Sequence, residues 1–140
     1  MSKCFKILLC LLLITSVLAG CAAADFTPVA EPFVEEMMDA LASEDLEAAM
    51  ALMHPVAEEQ LGDMTSSFQA MAEYVDGRLV TGMERESVYI HNSIGTNTAK
   101  TEDGSFRVTM DDGSVLVVEY CYLENGDGSG FSKFQLSVGA

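Results

Sequence analysis

The sequence is poor in positive charge and in metal-binding side chains: 7 Lys and Arg against 22 Asp and Glu, 2 His and no Trp in 140 residues. Each scarcity excludes a class of function. Between Ala22 and Gly77 there are 13 acidic residues and no Lys or Arg. Nucleic acid and anionic lipid headgroups both demand a cationic surface, so neither nucleic-acid binding nor lying flat on a membrane is expected. His54 and His91 lie far apart and make a poor transition-metal pair. The stretch "NGDGSG" from Asn125 partly matches a calcium loop, offering Asn125, Asp127 and Ser129 in alternation. However, Leu136 stands where a bidentate Glu is required and strands flank the loop, so a plain hairpin connection is expected. No lysine and helix follow it as a phosphate-cradling loop requires. No metal and no cofactor are expected.

Long apolar runs are also scarce. Ile7–Val17 is almost wholly apolar, preceded by Lys3 and Lys6, and too short to span a bilayer comfortably. Ala19, Gly20 and Cys21 follow. "LAGC" resembles the bacterial lipoprotein lipobox, which implies cleavage between Gly20 and Cys21 and acylation of the Cys21 sulfur, with palmitate-type chains. Several acyl chains give stable anchoring. Residues 1–20 are therefore expected to be a signal peptide, 21–31 a lipidated tether and 32–140 the folded domain. The expected location is extracytoplasmic, anchored to the bacterial cell membrane or the outer membrane. Loss of the leader lowers the formal charge to about −17. Cys4 and Cys10 leave with it and Cys21 is acylated, so Cys121 remains without a disulfide partner. Within "VLVVEYCYL" Cys121 reads as a small buried hydrophobe, and Glu119 and Glu124 nearby would raise its thiol pKa.

The mature chain divides by period. Phe33, Met37 and Leu41 recur every fourth residue behind Pro32, a first-turn proline. Ser43 reads as the N-cap of a second helix, with Leu46, Ala49, Met50 and Met53 on one face and a stop before His54-Pro55. A third helix is expected from about Gly62 to Val75, with Met64, Phe68, Met71 and Val75 as its stripe and Asp76-Gly77 as its end. From Arg78 the period is two: "ERESVYIHN", "SFRVTM", "SVLVVEYCYLE" and "FSKFQLSV", with a hairpin turn at Asp112-Gly113. Helices first and strands afterwards predict an α+β fold, N-terminal helices packed on a curved antiparallel sheet of about four strands.

"SEDLEAAMALMHP" at 43–55 is similar to the second-helix signature of the nuclear-transport-factor-2-like superfamily, and the order of elements over Phe33–Val138 resembles that family's cone-shaped fold. One departure is the last strand, where many relatives of this lipoprotein type carry a Trp and this chain has Phe134. The resemblance implies a pocket between helices and sheet, used by some members for dehydration, isomerisation or cyclisation and by others only for binding. Fold alone does not choose between these.

Catalysis in such a pocket needs a general acid and base facing apolar walls. Glu119, His91 and Tyr74 are the candidates. Glu119 alternates with Val115, Val117 and Cys121. On the core face it would be a carboxylate among apolar neighbours and the best base; on the other it is a surface charge. Leu116, Val118, Tyr120 and Tyr122 make an equally apolar alternative face, so the register is open. His54 reads as a capping or packing group at a helix end. Methionines crowd the helical half, filling the core or making a deformable pocket. Phe33, Met37, Met53, Met71 and Phe134 are the candidate pocket lining. Three readings follow. The leading one is an envelope lipoprotein whose domain binds a small apolar ligand or a protein partner without catalysis. The second is a small isomerase- or dehydratase-like enzyme using Glu119 or His91 as base. The third is a homodimer joined through an apolar outer sheet face that includes Tyr120 and Tyr122.

Overall fold

A computed structural model describes residues 25–139 except 94, 96 and 97. The leader, Gly20 and Cys21 lie outside the described residues. Four helices, α1 (Glu31–Ala42), α2 (Leu46–Ala51), α3 (Pro55–Leu61) and α4 (Thr65–Val75), precede four strands, β1 (Val80–Ser93), β2 (Ala99–Met110), β3 (Val115–Asn125) and β4 (Gly128–Val138). The strands form one curved, unclosed antiparallel sheet in the order β1-β2-β3-β4. The chain is therefore α+β, as the change of period requires.

The helices differ from expectation at their starts and stops. Ser43 ends α1 rather than beginning α2: its hydroxyl donates to the Asp39 carbonyl. The cap of α2 is Asp45, whose Oδ1 accepts from the Ala48 N–H at 3.1 Å. Asp wins because Glu44 turns into the left-handed region (φ 55°), which sets the next residue at the helix mouth. The span between His54 and Gly62 is a further helix, α3, started by Pro55 and ended at Gly62 (φ 69°). Gly62 thus closes one helix instead of opening the next. Asp76 (φ 51°) and Gly77 (φ 69°) end α4 as expected.

The core lies between the helices and one sheet face. Leu116, Val118, Tyr120 and Tyr122 of β3 are buried, together with Phe106, Val108 and Met110 of β2 and Phe131 and Phe134 of β4. From the helices come Val34, Met37, Met38, Leu41, Phe68 and Val75. Aromatic rings run through it in contact: Phe33 stacks on Tyr122 (5.0 Å), and Phe131 meets Tyr122, Tyr120 and Phe134 edge-on at 5.1, 6.0 and 5.2 Å. Phe106 stacks on Tyr120 at 5.7 Å. Rings of this size fill the space between layers, each pair adding about 1 kcal/mol beyond its area.

Residues 25–30, expected as free tether, are laid against the sheet. The Lys100 ammonium donates to the Thr27 carbonyl (2.7 Å) and Asn92 Nδ2 to that of Asp25 (3.1 Å). Ala30 is fully buried. The Thr27 side chain first, then the Thr27 N–H, which donates to Asp25 Oδ1, and then the Lys100 charge hold the Asp25 carboxyl below the usual range.

Candidate functional site

Two long-range joints fasten the helices to the sheet, and one of them shapes the site. His54 precedes proline and is accordingly extended (φ −68°, ψ 143°). Its N–H donates to the Phe131 carbonyl (2.8 Å), and the Phe131 N–H donates to the Leu52 carbonyl (2.9 Å). Met53 and Phe131 thereby form a parallel bridge on the outer edge of β4. The approach needs Gly130: a Cβ there would stand 2.5 Å from the His54 nitrogen. The His54 ring completes the joint. Nδ1 accepts from the Val56 N–H at 3.0 Å, capping α3, so the ring proton lies on Nε2, which donates to Asn125 Oδ1 at 2.9 Å. Capping and packing account for His54 in full.

Past this bridge β4 changes parity. Two residues, Ser132 and Lys133, occupy one register step between the pairs Tyr122–Phe131 and Cys121–Lys133. The Gly139 N–H donates inward to Val115. Alternation along the strand then turns the backbone groups of Phe134, Leu136 and Val138 toward the open edge. Among the described residues that stretch has no strand neighbour beyond β3. A cleft of about 820 Å³ straddles it. Its wall on the helical side is Met53, Leu61, Met64, Phe68 and Met71; Phe134 and Leu136 form the floor; Glu119, Lys133, Gln135 and Ser137 reach it from the outer face. Unbranched thioethers on one wall can re-pack around varied apolar shapes.

Of the expected lining residues, Met53, Met71 and Phe134 meet at this cleft. Met37 does not: it is fully buried in the core. Phe33 does not either, being spent on Tyr122. Leu61, Met64, Phe68 and Leu136 are the other apolar lining residues, and of these Met64 and Phe68 stood on the third-helix stripe read from the sequence.

The catalytic candidates do not converge. Glu119 is exposed on the outer face of β3, opposite Ser105 and Gln135. The apolar alternation Leu116–Tyr122 takes the core side, because four large side chains bury more area there than the set containing a carboxylate. His91 is exposed on β1 opposite Thr101. Tyr74 is partly exposed on α4, its ring under the Arg78 guanidinium at 5.9 Å. The same register buries Tyr120 and Tyr122, so neither stands on the outer face as expected for a dimer surface; that face carries Tyr89, Asp103, Glu119 and Lys133 among its exposed groups. Cys121 is half-buried there. Burial first, then the Asp103 carboxylate, pushes its thiol up, while a Ser132 hydrogen bond opposes them. The direction is the one read from the sequence; the causes are not Glu119 and Glu124.

The second joint was invisible beforehand. Glu102, in the polar stretch "KTEDGSF", is 1% exposed beneath the start of α1. Its Oε2 accepts from the Ala30 and Val29 N–H groups at 2.8 and 3.2 Å. Its Oε1 has no hydrogen-bond partner among the described residues and lies 3.7 Å from Arg85 Nη1. That nitrogen donates to the Tyr120 hydroxyl at 2.8 Å, with the guanidinium over the Phe106 ring at 4.5 Å. Gly104 makes the room: a Cβ there would lie 2.6 Å from the Tyr120 oxygen and 2.7 Å from the Ser87 carbonyl. The cluster takes up a helix start; Arg85 also lines a shallow hollow of about 460 Å³ with Pro28, Glu31, Pro32 and Glu35. Among the described residues no group of three or more His, Cys, Asp or Glu could hold a metal ion. No described helix is long and apolar enough to cross a membrane. Set against known proteins, the chain matches no family model, no curated protein and no solved structure.

Proposed function

We propose that this chain is an acidic lipoprotein of the bacterial cell envelope, anchored through Cys21, whose α+β domain binds a ligand or partner and performs no chemistry on it. The observation that carries the reading is the methionine-walled cleft along β4, a concavity of ligand-site size whose apolar wall and floor are edged by polar groups including Asp63, Ser67, Glu119, Lys133 and Gln135. Two further observations favour binding over catalysis. Glu119 and His91 share the outer sheet face but sit two strands and four register steps apart, and Tyr74 lies away from both on α4. The interior between helices and sheet, where an enzyme of the resembled superfamily would hold substrate, is filled by Phe106, Tyr120, Tyr122 and Phe131. We also place the chain in the nuclear-transport-factor-2-like superfamily as a divergent member, on "SEDLEAAMALMHP" and the element order.

The docked segment 25–30 gives the domain an orientation. Asp25 and Thr27 are tied to Asn92 and Lys100, at the sheet end where β1 stops and β2 starts. Cys21 is four residues before Asp25, so the anchor belongs at that end. Gly128 is at the same end, opposite Asn125, which adjoins Lys100's partner Glu124. Leu136 is about 26 Å further along, at 3.3 Å per residue. The cleft therefore lies toward the end of the sheet remote from the anchor.

Native mass spectrometry of the acylated chain, lifted from membranes in mild detergent, tests the reading. A retained mass is expected, lost in Met71→Glu. A chain that retains nothing, or retains it equally with Glu at 71, overturns it. Cys21→Ala is expected to abolish acylation and leader cleavage together.

A further inference from the structure

The cleft does more than offer apolar walls, because it wraps a strand edge. Outer-face side chains and helical methionines line one continuous space on either side of the Phe134–Ser137 backbone. An occupant of that space runs alongside β4. The upstream part of the same edge is already used in this way by the chain itself, through the two backbone hydrogen bonds between Phe131 and Leu52–His54. The chain then leaves the edge as α3, and among the described residues the edge beyond it has no strand partner. The bulge and Lys133, which are devices that discourage edge pairing, sit at the upstream limit. Downstream, "FQLSV" has neither charge nor proline, and Val138 is 74% exposed.

Charge selects the occupant. The wall facing the edge belongs to a segment, Ala22–Gly77, with 13 acidic residues and no Lys or Arg. Asp63 and Glu119 both line the cleft, against Lys133 alone. A second copy of this chain carries the same excess, a formal −15 over the full sequence, and is repelled. We propose that the free edge of β4 from Phe134 to Val138 takes up an extended, cationic polypeptide segment of a partner protein as a fifth strand. Period two fixes its pattern: apolar side chains toward Met64 and Met71, lysines or arginines on the outer side near Glu119. This names the partner class for the cleft and rests on the binding reading above.

The probe is a synthetic peptide alternating lysine with leucine, titrated against the acylated chain in lipid discs and followed by amide hydrogen exchange. Binding is expected to slow exchange at Phe134, Leu136 and Val138, with no change at Gln135 and Ser137, whose groups already face β3. N-methylation of alternate peptide amides is expected to weaken binding at least about tenfold, as is exchange of its lysines for glutamates. Leu136→Pro, which removes an outward donor and leaves the β3 ladder intact, is expected to do the same. Equal binding of the N-methylated or the glutamate peptide, protection elsewhere, no binding, or a dimer of this chain paired through β4 would each overturn the proposal. If the peptide fails while Met71→Glu still strips a retained mass, strand addition falls and the cleft remains the binding site. If both fail, both readings fall.

Discussion

Glu102 and His54 perform one task at two places by different electrostatics. Each is 1% exposed, and each takes up backbone N–H groups at a helix start. His54 is satisfied at both ring nitrogens, one by a residue two positions on and one by Asn125. Glu102 satisfies one oxygen with two N–H groups more than 70 residues away and leaves the other to Arg85 at 3.7 Å. A neutral cap can be complete with a single distant bond. A buried carboxylate needs a cation, a helix start and space cleared by Gly104. The charged joint is thus the one whose failure costs more.

Removing the carboxylate should have the largest effect. Glu102→Ala is expected to cost about 4 kcal/mol in chemical denaturation, since it leaves two N–H groups without their acceptor and takes from Arg85 its buried counter-charge, with only the exposed Glu31 carboxylate left at 3.9 Å. Joint replacement, Glu102→Leu with Arg85→Met, is expected to recover much of that loss. A single-variant cost below about 1 kcal/mol would break the contrast with His54. His54→Ala is expected to cost about 2 kcal/mol and to speed exchange at Val56 and Phe131. His54→Asn, which can still cap, should cost less; equal costs would mean that packing, not capping, dominates.

Tyr120 sharpens the comparison through pH. Burial first, and then the Glu102 charge, push its hydroxyl above the ordinary value of 10, against the hydrogen bond from Arg85. The folded state therefore keeps a proton that the unfolded chain releases. That stability is fully present below the unfolded pKa and is lost as pH rises through the folded one. Unfolding free energy is expected to decline above about pH 10. Tyr120→Phe should flatten the decline in part, because burial raises Tyr122 as well. At neutral pH the same variant should cost about 1 kcal/mol, the Arg85 bond. The smallest effects belong to Glu119→Gln and His91→Ala, exposed groups outside both joints, each within about 0.5 kcal/mol. A larger shift from either would reopen their role.

Legibility followed the range of the interaction. The His54-Pro55 stop was readable because a residue before proline is extended and its ring caps the next turn, all within two positions. The end of α4 at Asp76-Gly77 was readable for the same reason. Helix α3 was missed because "PVAEEQL" shows no apolar stripe; it is nucleated by the proline and held against β4. Ser43 and Asp45 are both good caps, and only the left-handed turn at Glu44 decides between them. At the cleft, Met53, Met71 and Phe134 came from their stripes, whereas Met37 and Phe33 stand on an equally good stripe that packing consumed. Glu102 gave no signal, since a carboxylate in a polar stretch looks the same whether buried or solvated.

By itself the sequence determined the acidity of the helical half, the order of helices before strands, and the alternation that makes each strand two-faced. These are properties of residues and their near neighbours. Tertiary structure alone decided which face of β3 is inside, where β4 bulges, that Leu52–His54 covers only part of its edge, and that a carboxylate lies under α1. Each of these depends on groups tens of residues apart meeting within hydrogen-bond or ion-pair distance. Burial then makes the meeting compulsory: a polar group removed from water must find its partner wherever the fold has placed it.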